Sequence, residues 1–300
     1  MESLKTILYF SIFRYPLTLE EIHSYTNHSN VEDTATELQS LVEQKILFKI
    51  DEFFVYDNDL ESVPRRMKGN YLANRIMTKA ESKARYISKF PFVTAVGISG
   101  SLSKGYFDAG SDVDFFIITR PNRLWVCRTI LILYKKIFLL NSRKYFCPNY
   151  FISTEQLEIV EKNRFTATEL KTLIPMWGKS DFEQFYQSNG WVKQHFNKFN
   201  PILDQIPAVP KKQIAKSIEY ALDNKLGDAL DFFFRRITHQ KWRAKFEYLA
   251  EEDFQIALKS TKNISKHHPS NFQKKVILSL NDKLDEVAQR FNIAMQKEHV

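Results

Sequence analysis

The chain has 300 residues, 44% hydrophobic and 26% charged, which suits a protein that buries a real core and excludes a disordered or collagen-like chain. Two cysteines, Cys127 and Cys147, leave neither a disulfide framework nor a cysteine-cluster zinc site. Net charge is +8, yet residues 1–60 hold eleven acidic and four basic side chains, so the cationic excess lies entirely beyond them.

Glu2 and Lys5 interrupt the first apolar stretch, so no signal peptide is expected. Arg128, Lys135 and Lys136 break the longest apolar run, Leu124 to Leu140, below the roughly 18 clean residues a bilayer span needs. A soluble, cytoplasmic protein without a membrane partner is therefore expected.

In chain order, Leu4, Ile7, Leu8, Phe10 and Ile12 predict a short buried helix ending near Pro16. Thr18 then opens LEEIHSYT, with Glu21 three residues on, a capping-box pattern. A third helix is predicted from Asn30 or Glu32 to Gln44, with Ala35, Leu38, Leu41 and Val42 at helical spacing. KILFKIDEFFVYD supplies two short β-rich runs, a small wing. This order resembles a winged helix, a fold known for reading DNA. The third helix carries Glu32, Asp33, Glu37 and Glu43 against Lys45, the wrong sign for facing phosphates, so docking or dimerisation is favoured over DNA binding.

Residues 61–90 turn basic, with Arg65, Arg66, Lys68, Arg75, Lys79, Lys83, Arg85 and Lys89 on a predicted helix whose inward stripe is Ile76, Ala80, Ala84 and Ile87. Its cations are either a solvated face or an electropositive rim for a phosphate-bearing ligand. An α/β pattern follows: strands over Phe92–Ser99, Asp112–Thr119 and Tyr145–Ile152, with a helix over Leu124–Leu140. Pro148 cannot donate to a ladder, so the third strand is expected at an edge or with a bulge. Helices are predicted over Thr166–Leu173, Phe182–Phe199 and, after the proline-bearing stretch Asn200–Lys212, from Lys211 to the end. Within that last region Phe232 to Phe234 read as core. The basic run Arg235, Arg236, Lys241, Arg243 and Lys245 reads as a solvated face or a wall across the cleft.

The chemistry concentrates in GISGSLSKGYFDAGSDVDFFIIT. Only eight glycines occur, and Gly97, Gly100, Gly105 and Gly110 fall within fourteen residues. Gly100-Ser101 follows an apolar strand and precedes a short helix with Lys104, where a bare backbone, helix-start amides and a hydroxyl can meet an anion. Asp112 and Asp114 lie two apart at the head of a strand, so both carboxylates leave one face about 7 Å apart at Cα. Such a pair either forms the exposed start of a strand or caps a turn, or it needs a cation, for which hard oxygen ligands suit Mg²⁺. Tyr106 stands where a Walker loop requires lysine, so this is not that motif.

Gly100-Ser101, ten residues, then Asp112-Val113-Asp114 resembles the signature of the polymerase-β-type nucleotidyltransferase superfamily, and the similarity extends to Lys104, Gly105 and Ser111. It covers about 60 residues, Phe92 to Ile152. The resemblance implies an α+β core with a small mixed sheet. Gly100 and Ser101, with Lys104 and Ser111, would hold an NTP, while Asp112 and Asp114 would bind two Mg²⁺ ions for attack on the α-phosphate. An acceptor hydroxyl, of a small molecule, protein or nucleic acid, would take the nucleotidyl group and release pyrophosphate. The family supplies a third carboxylate from the next strand, but YFCPNYFI offers only Asn149, which cannot take a proton. Either the metal near the acceptor is bound more weakly and activity is reduced, or another acid reaches in, Glu155 and Glu169 being the nearest, or the domain binds a nucleotide without transferring it. The DNA-binding regulator is the remaining alternative. His267-His268-Pro269 reads as a loop before a metal site, and both cysteines as core. The expected organisation is a winged-helix-like domain over 1–62, a nucleotidyltransferase core over 63–200 and a helical C-terminal domain over 201–300.

Overall fold

The computed structural model covers all 300 residues. Its first six elements are α1 (Glu2–Ser11), β1 (Leu17–Thr18), α2 (Leu19–Ser24), α3 (Val31–Glu43), β2 (Phe48–Ile50) and β3 (Phe53–Val55). The expected capping box starts α2: Thr18 accepts from the Glu21 amide while Glu21 accepts from the Thr18 amide. Asn30 caps α3 in the same sense, accepting from the Asp33 amide at 2.7 Å. The strands form an antiparallel sheet ordered β1-β3-β2.

Helix α4 (Ser62–Ile87) leads from this module into the main sheet. There follow β4 (Val93–Ser99), a 3₁₀ turn (Leu102–Lys104), β5 (Asp114–Thr119), α5 (Leu124–Phe138) and β6 (Cys147–Ser153). Next come α6 (Arg164–Thr172), β7 (Ile174–Trp177), α7 (Lys179–Ser188) and α8 (Val192–His195). The C-terminal part holds α9 (Gln213–Leu222), α10 (Lys225–Lys245), α11 (Glu251–Ala257), β8 (Ile264–Lys266) and α12 (Phe272–Phe291). Five strands make one mixed sheet, order β7-β4-β5-β6-β8, in which only β5 and β6 are parallel, joined by α5.

Alternation along β5 divides the core. Phe115 and Ile117 face α4, α5, α10 and α11, packing with Trp125, Leu131, Trp242 and Phe254. Phe116 and Ile118 face the other side, packing with Phe182, Phe185, Trp191 and Phe196. Helix α5 has no cap of its own at Arg123. Asp231 of α10 does that work, accepting from the amides of Trp125 at 2.8 Å and Val126 at 3.0 Å in a buried position.

Four features differ from the sequence expectations. Strands β7 and β8 were not predicted. The helix expected over Phe182–Phe199 breaks at Asn189-Gly190, because the Asn189 side chain bonds Leu157 O, Phe185 O and the Ile159 amide instead. The expectation that the Pro148 strand lies at an edge or carries a bulge is met by the bulge; β6 itself is interior, since β8 pairs with Tyr150–Ile152. Phe232 and Phe233 are exposed rather than core, and only Phe234 packs inward. Residues 201–300 also build no core of their own. Trp242, Phe246, Phe254 and Leu258 join the main sheet, while Val276, Leu280, Leu284 and Val287 of α12 close the core of the N-terminal module. Burial of aliphatic side chains of this size contributes about 1.5–3 kcal/mol each, so α12 is a principal support of that module. No helix is long and apolar enough to cross a membrane.

Candidate active site

The site forms where β4 ends, β5 begins and β6 enters the sheet. Ser99 pairs with Asp114, so the residue after the strand, Gly100, lies directly against the Asp114 side chain. Gly100 has φ +72°, and a Cβ there would collide with Asp114 Oδ2. Both the left-handed backbone and the close approach require glycine. The loop then tightens on itself: Lys104 and Tyr106 amides donate to Ser101 O, and the Gly105 amide to Leu102 O. The amides of Gly100 and Ser101 and the Ser101 hydroxyl have no acceptor within the protein. These are the donors expected to meet phosphate.

Asp112 precedes the strand rather than standing in it; β5 begins at Asp114. Both carboxylates are half-buried. Burial pushes Asp114 up to about 7, Asp112 and Glu169 add to the rise, and the Cys147 thiol and Lys104 act against it. Cys147 pairs with Asp114 across the strands. It is thus part of the site's wall and not only core, although burial and the Asp114 carboxyl push its thiol up to about 12.

Asn149 owes its placement to the bulge. Phe115 pairs with Pro148 and Phe116 with Tyr150, leaving Asn149 as the extra residue. Tyr150 therefore joins the Phe116 face, with the rings stacked at 5.3 Å, and Asn149 is added to the same neighbourhood. Its Nδ2 donates to Asp114 Oδ1 at 2.8 Å, and its buried Oδ1 has no partner. An unpartnered buried amide oxygen is costly unless something outside the protein satisfies it.

Lys104 reaches back to Gly100 O at 3.0 Å and pairs with Glu169 of α6 at 2.7 Å. Ser111 is held in its own turn: its hydroxyl donates to Asp108 Oδ1 at 2.8 Å and accepts from the Asp108 amide. Of the two substitute acids, Glu169 stands beside the site. Glu155 follows the far end of β6 and pairs with Lys262 at 3.0 Å, so it is not brought to Asp114. Of the basic run of α10, Arg243 is forked onto Glu251 at 2.5 and 2.6 Å. Two contacts had no signal in the local sequence: Tyr15 and Asn70 bond the carbonyls of Lys104 and Gly105.

No three His, Cys, Asp or Glu side chains converge as a metal-ligand set. The donors near one another are all oxygen: the Asp114 carboxylate, the unpartnered Oδ1 of the Asn149 side chain that bonds it, and Asp112, close enough to raise Asp114. This hard-oxygen set fits Mg²⁺, whose charge would offset the burial of Asp114. His267 and His268 do not form a second site. They are half-buried, His267 lies 5.0 Å from the Trp242 ring centroid, and burial takes the pair down to about 3 and about 4.

No curated protein and no solved structure matches the chain. A family model described as "Nucleotidyltransferase domain" matches residues 81–174. That segment is less than half of the chain, and it contains the Gly100 loop, Asp112, Asp114, Asn149 and Glu169. The comparison thus supports a transferase with a nucleotidyltransferase core within residues 81–174.

Proposed function

We infer that the protein moves an NMP from an NTP to the hydroxyl of an acceptor and releases pyrophosphate. The observation that carries this reading is the contact of the Gly100 backbone with Asp114, beside an Asn149 oxygen that no protein group satisfies. The Gly100 and Ser101 amides and the Ser101 hydroxyl would bind the triphosphate oxygens. Asp112, Asp114 and Asn149 Oδ1 would hold Mg²⁺, which when bound supplies neutralisation of phosphate charge. The acceptor oxygen forms a bond to the α-phosphorus, the bond to the bridging oxygen of pyrophosphate breaks, and the acceptor proton leaves. Asn149 cannot receive that proton, so it passes to a carboxylate or to solvent. Most of the rate then comes from positioning and charge stabilisation.

The experiment is a screen of the full chain with Mg²⁺, the four α-labelled NTPs and candidate acceptors, following label transfer and pyrophosphate. Asp112→Asn should abolish release. Unchanged pyrophosphate from that variant removes the reading. A second reading, nucleotide binding without transfer, is favoured by Asn149 standing where an acid is expected. It gives NTP-dependent thermal stabilisation and no product.

For residues 1–60 we propose a winged-helix-like docking module. The order α1-β1-α2-α3 with the β2–β3 hairpin supports it, and the acids of α3 speak against a DNA reader.

A further inference from the structure

The loop that carries the free amides is held from outside by Tyr15 of the N-terminal module and by α4, which is itself tied to that module through Glu21. Asn70 of α4 spends both protons of its Nδ2: one on Gly105 O at 2.5 Å, one on the Tyr15 hydroxyl at 3.0 Å. Tyr15 in turn donates to Lys104 O at 3.4 Å. The orientation of the Asn70 amide is set by Arg66, whose Nε donates to Asn70 Oδ1 at 3.3 Å. Arg66 is buried, forks onto Glu21 at 2.7 and 2.6 Å, and lies 4.5 Å from the Tyr15 ring centroid and 4.6 Å from that of Phe53. Glu21 is the acid of the α2 capping box. An unbroken chain of bonds therefore runs from the start of α2, through Arg66 and Asn70, to the carbonyls of the glycine loop.

The next residues of the loop are fixed by the same helix. The Tyr106 ring fills the space over Gly69, where a Cβ could not stand, and the Phe107 amide donates to Gly69 O at 3.2 Å. Tyr15 and Tyr106 meet edge to face at 6.1 Å. Holding a loop by its carbonyls leaves its amides to face a ligand, and ordering it beforehand removes that entropy from the binding step. None of Tyr15, Asn70 and Arg66 is among the phosphate or metal ligands proposed above.

We propose that Tyr15 and Asn70 are positioning residues of the phosphate-binding loop, and that through them the N-terminal module sets the affinity for the triphosphate. The proposal rests on the nucleotidyltransferase reading of the same loop. It makes residues 1–60 a control element of the site: whatever shifts α2 or Tyr15 changes how firmly the loop is held.

The test uses the full chain and Mg²⁺ with inorganic tripolyphosphate as the probe, by titration calorimetry. Tyr15→Phe removes one hydroxyl and Asn70→Asp replaces a donor with an acceptor of the same shape. Each variant loses one direct bond to a loop carbonyl together with the Asn70–Tyr15 bond, and loss of one neutral hydrogen bond to the loop corresponds to about a fivefold weaker Kd in either. Hydrogen exchange over residues 100–106 should quicken in both variants without ligand. Asp231→Ala, which destabilises α5 on a different element, serves as the control for general loss of stability and should leave the Kd unchanged. Faster loop exchange with an unchanged Kd in Tyr15→Phe and Asn70→Asp overturns the proposal while the site reading stands. An equal loss of affinity in Asp231→Ala also overturns it, because the effect would then be one of stability. Absence of tripolyphosphate binding by the unmodified chain removes the site reading and this proposal with it.

Discussion

Gly100→Ala and Gly105→Ala form a matched pair that isolates the contact on which the site depends. Both glycines lie in the left-handed region, φ +72° and +71°, so each alanine meets a similar backbone cost of about 1–2 kcal/mol. Their surroundings differ. The nearest atom to a Cβ at Gly105 is Asn70 Nδ2 at 3.7 Å, an ordinary contact. At Gly100 the new methyl overlaps Asp114 Oδ2 and comes within 3.3 Å of Asp114 Cβ and Cγ. Relief requires the carboxylate to rotate, which breaks its 2.8 Å bond from Asn149, and a hydrogen bond to a charged group is worth about 1.5–3 kcal/mol. Gly105→Ala should therefore cost about 1–2 kcal/mol and Gly100→Ala about 3–5 kcal/mol in urea unfolding. In calorimetry with Mg²⁺ and an α,β-methylene NTP, Gly105→Ala should still bind and Gly100→Ala should not. Equal unfolding costs and equal binding in the two variants would refute the argument that Gly100 exists to admit Asp114.

Three further predictions test other parts of the structure. Asn149→Asp sets a second carboxylate within hydrogen-bond distance of Asp114, so the melting temperature should fall without divalent ions and rise more steeply with Mg²⁺ than in the unmodified chain; a melting temperature insensitive to Mg²⁺ refutes this. Asp231→Ala orphans two buried amides at the start of α5 and should cost about 2–4 kcal/mol in urea unfolding, against well under 1 kcal/mol if Asp231 contributes nothing. Acid stability follows from His267 and His268, which burial keeps neutral in the folded chain, to about 3 and about 4. Their contribution is complete above the unfolded value near 6.5 and is lost as pH falls from there toward 4, at up to about 1.4 kcal/mol per pH unit for each histidine. Asp114, raised to about 7, works in the opposite direction, since protonation of the folded form favours folding as pH falls. Asp114→Asn should therefore show the steeper loss of unfolding free energy between pH 6.5 and 5. A shallower slope in that variant contradicts the assignment.

The parts of this protein legible in its sequence are those whose cause is local. A capping box is complete within four residues, Thr18 to Glu21. The Gly100-Ser101 turn and the Asp112–Asp114 pair have chemistry written in their residue types and spacing. Alternation and burial in β5 follow from its own six residues. Four-residue β7 and three-residue β8 are too short to carry a period, and they are strands because β4 and β6 offer open edges to pair with. Asn149 read as a neutral replacement in a strand. Only the Pro148 bulge, whose register is set by the partner strand, turns it onto Asp114. Tyr15 and Asn70 stand 89 and 35 residues from the loop carbonyls they bond, and α12 reaches the first helix from the other end of the chain. Such contacts are decided when packing brings distant surfaces together. The residues therefore determined which chemistry is available, and the tertiary structure determined which of them face one another.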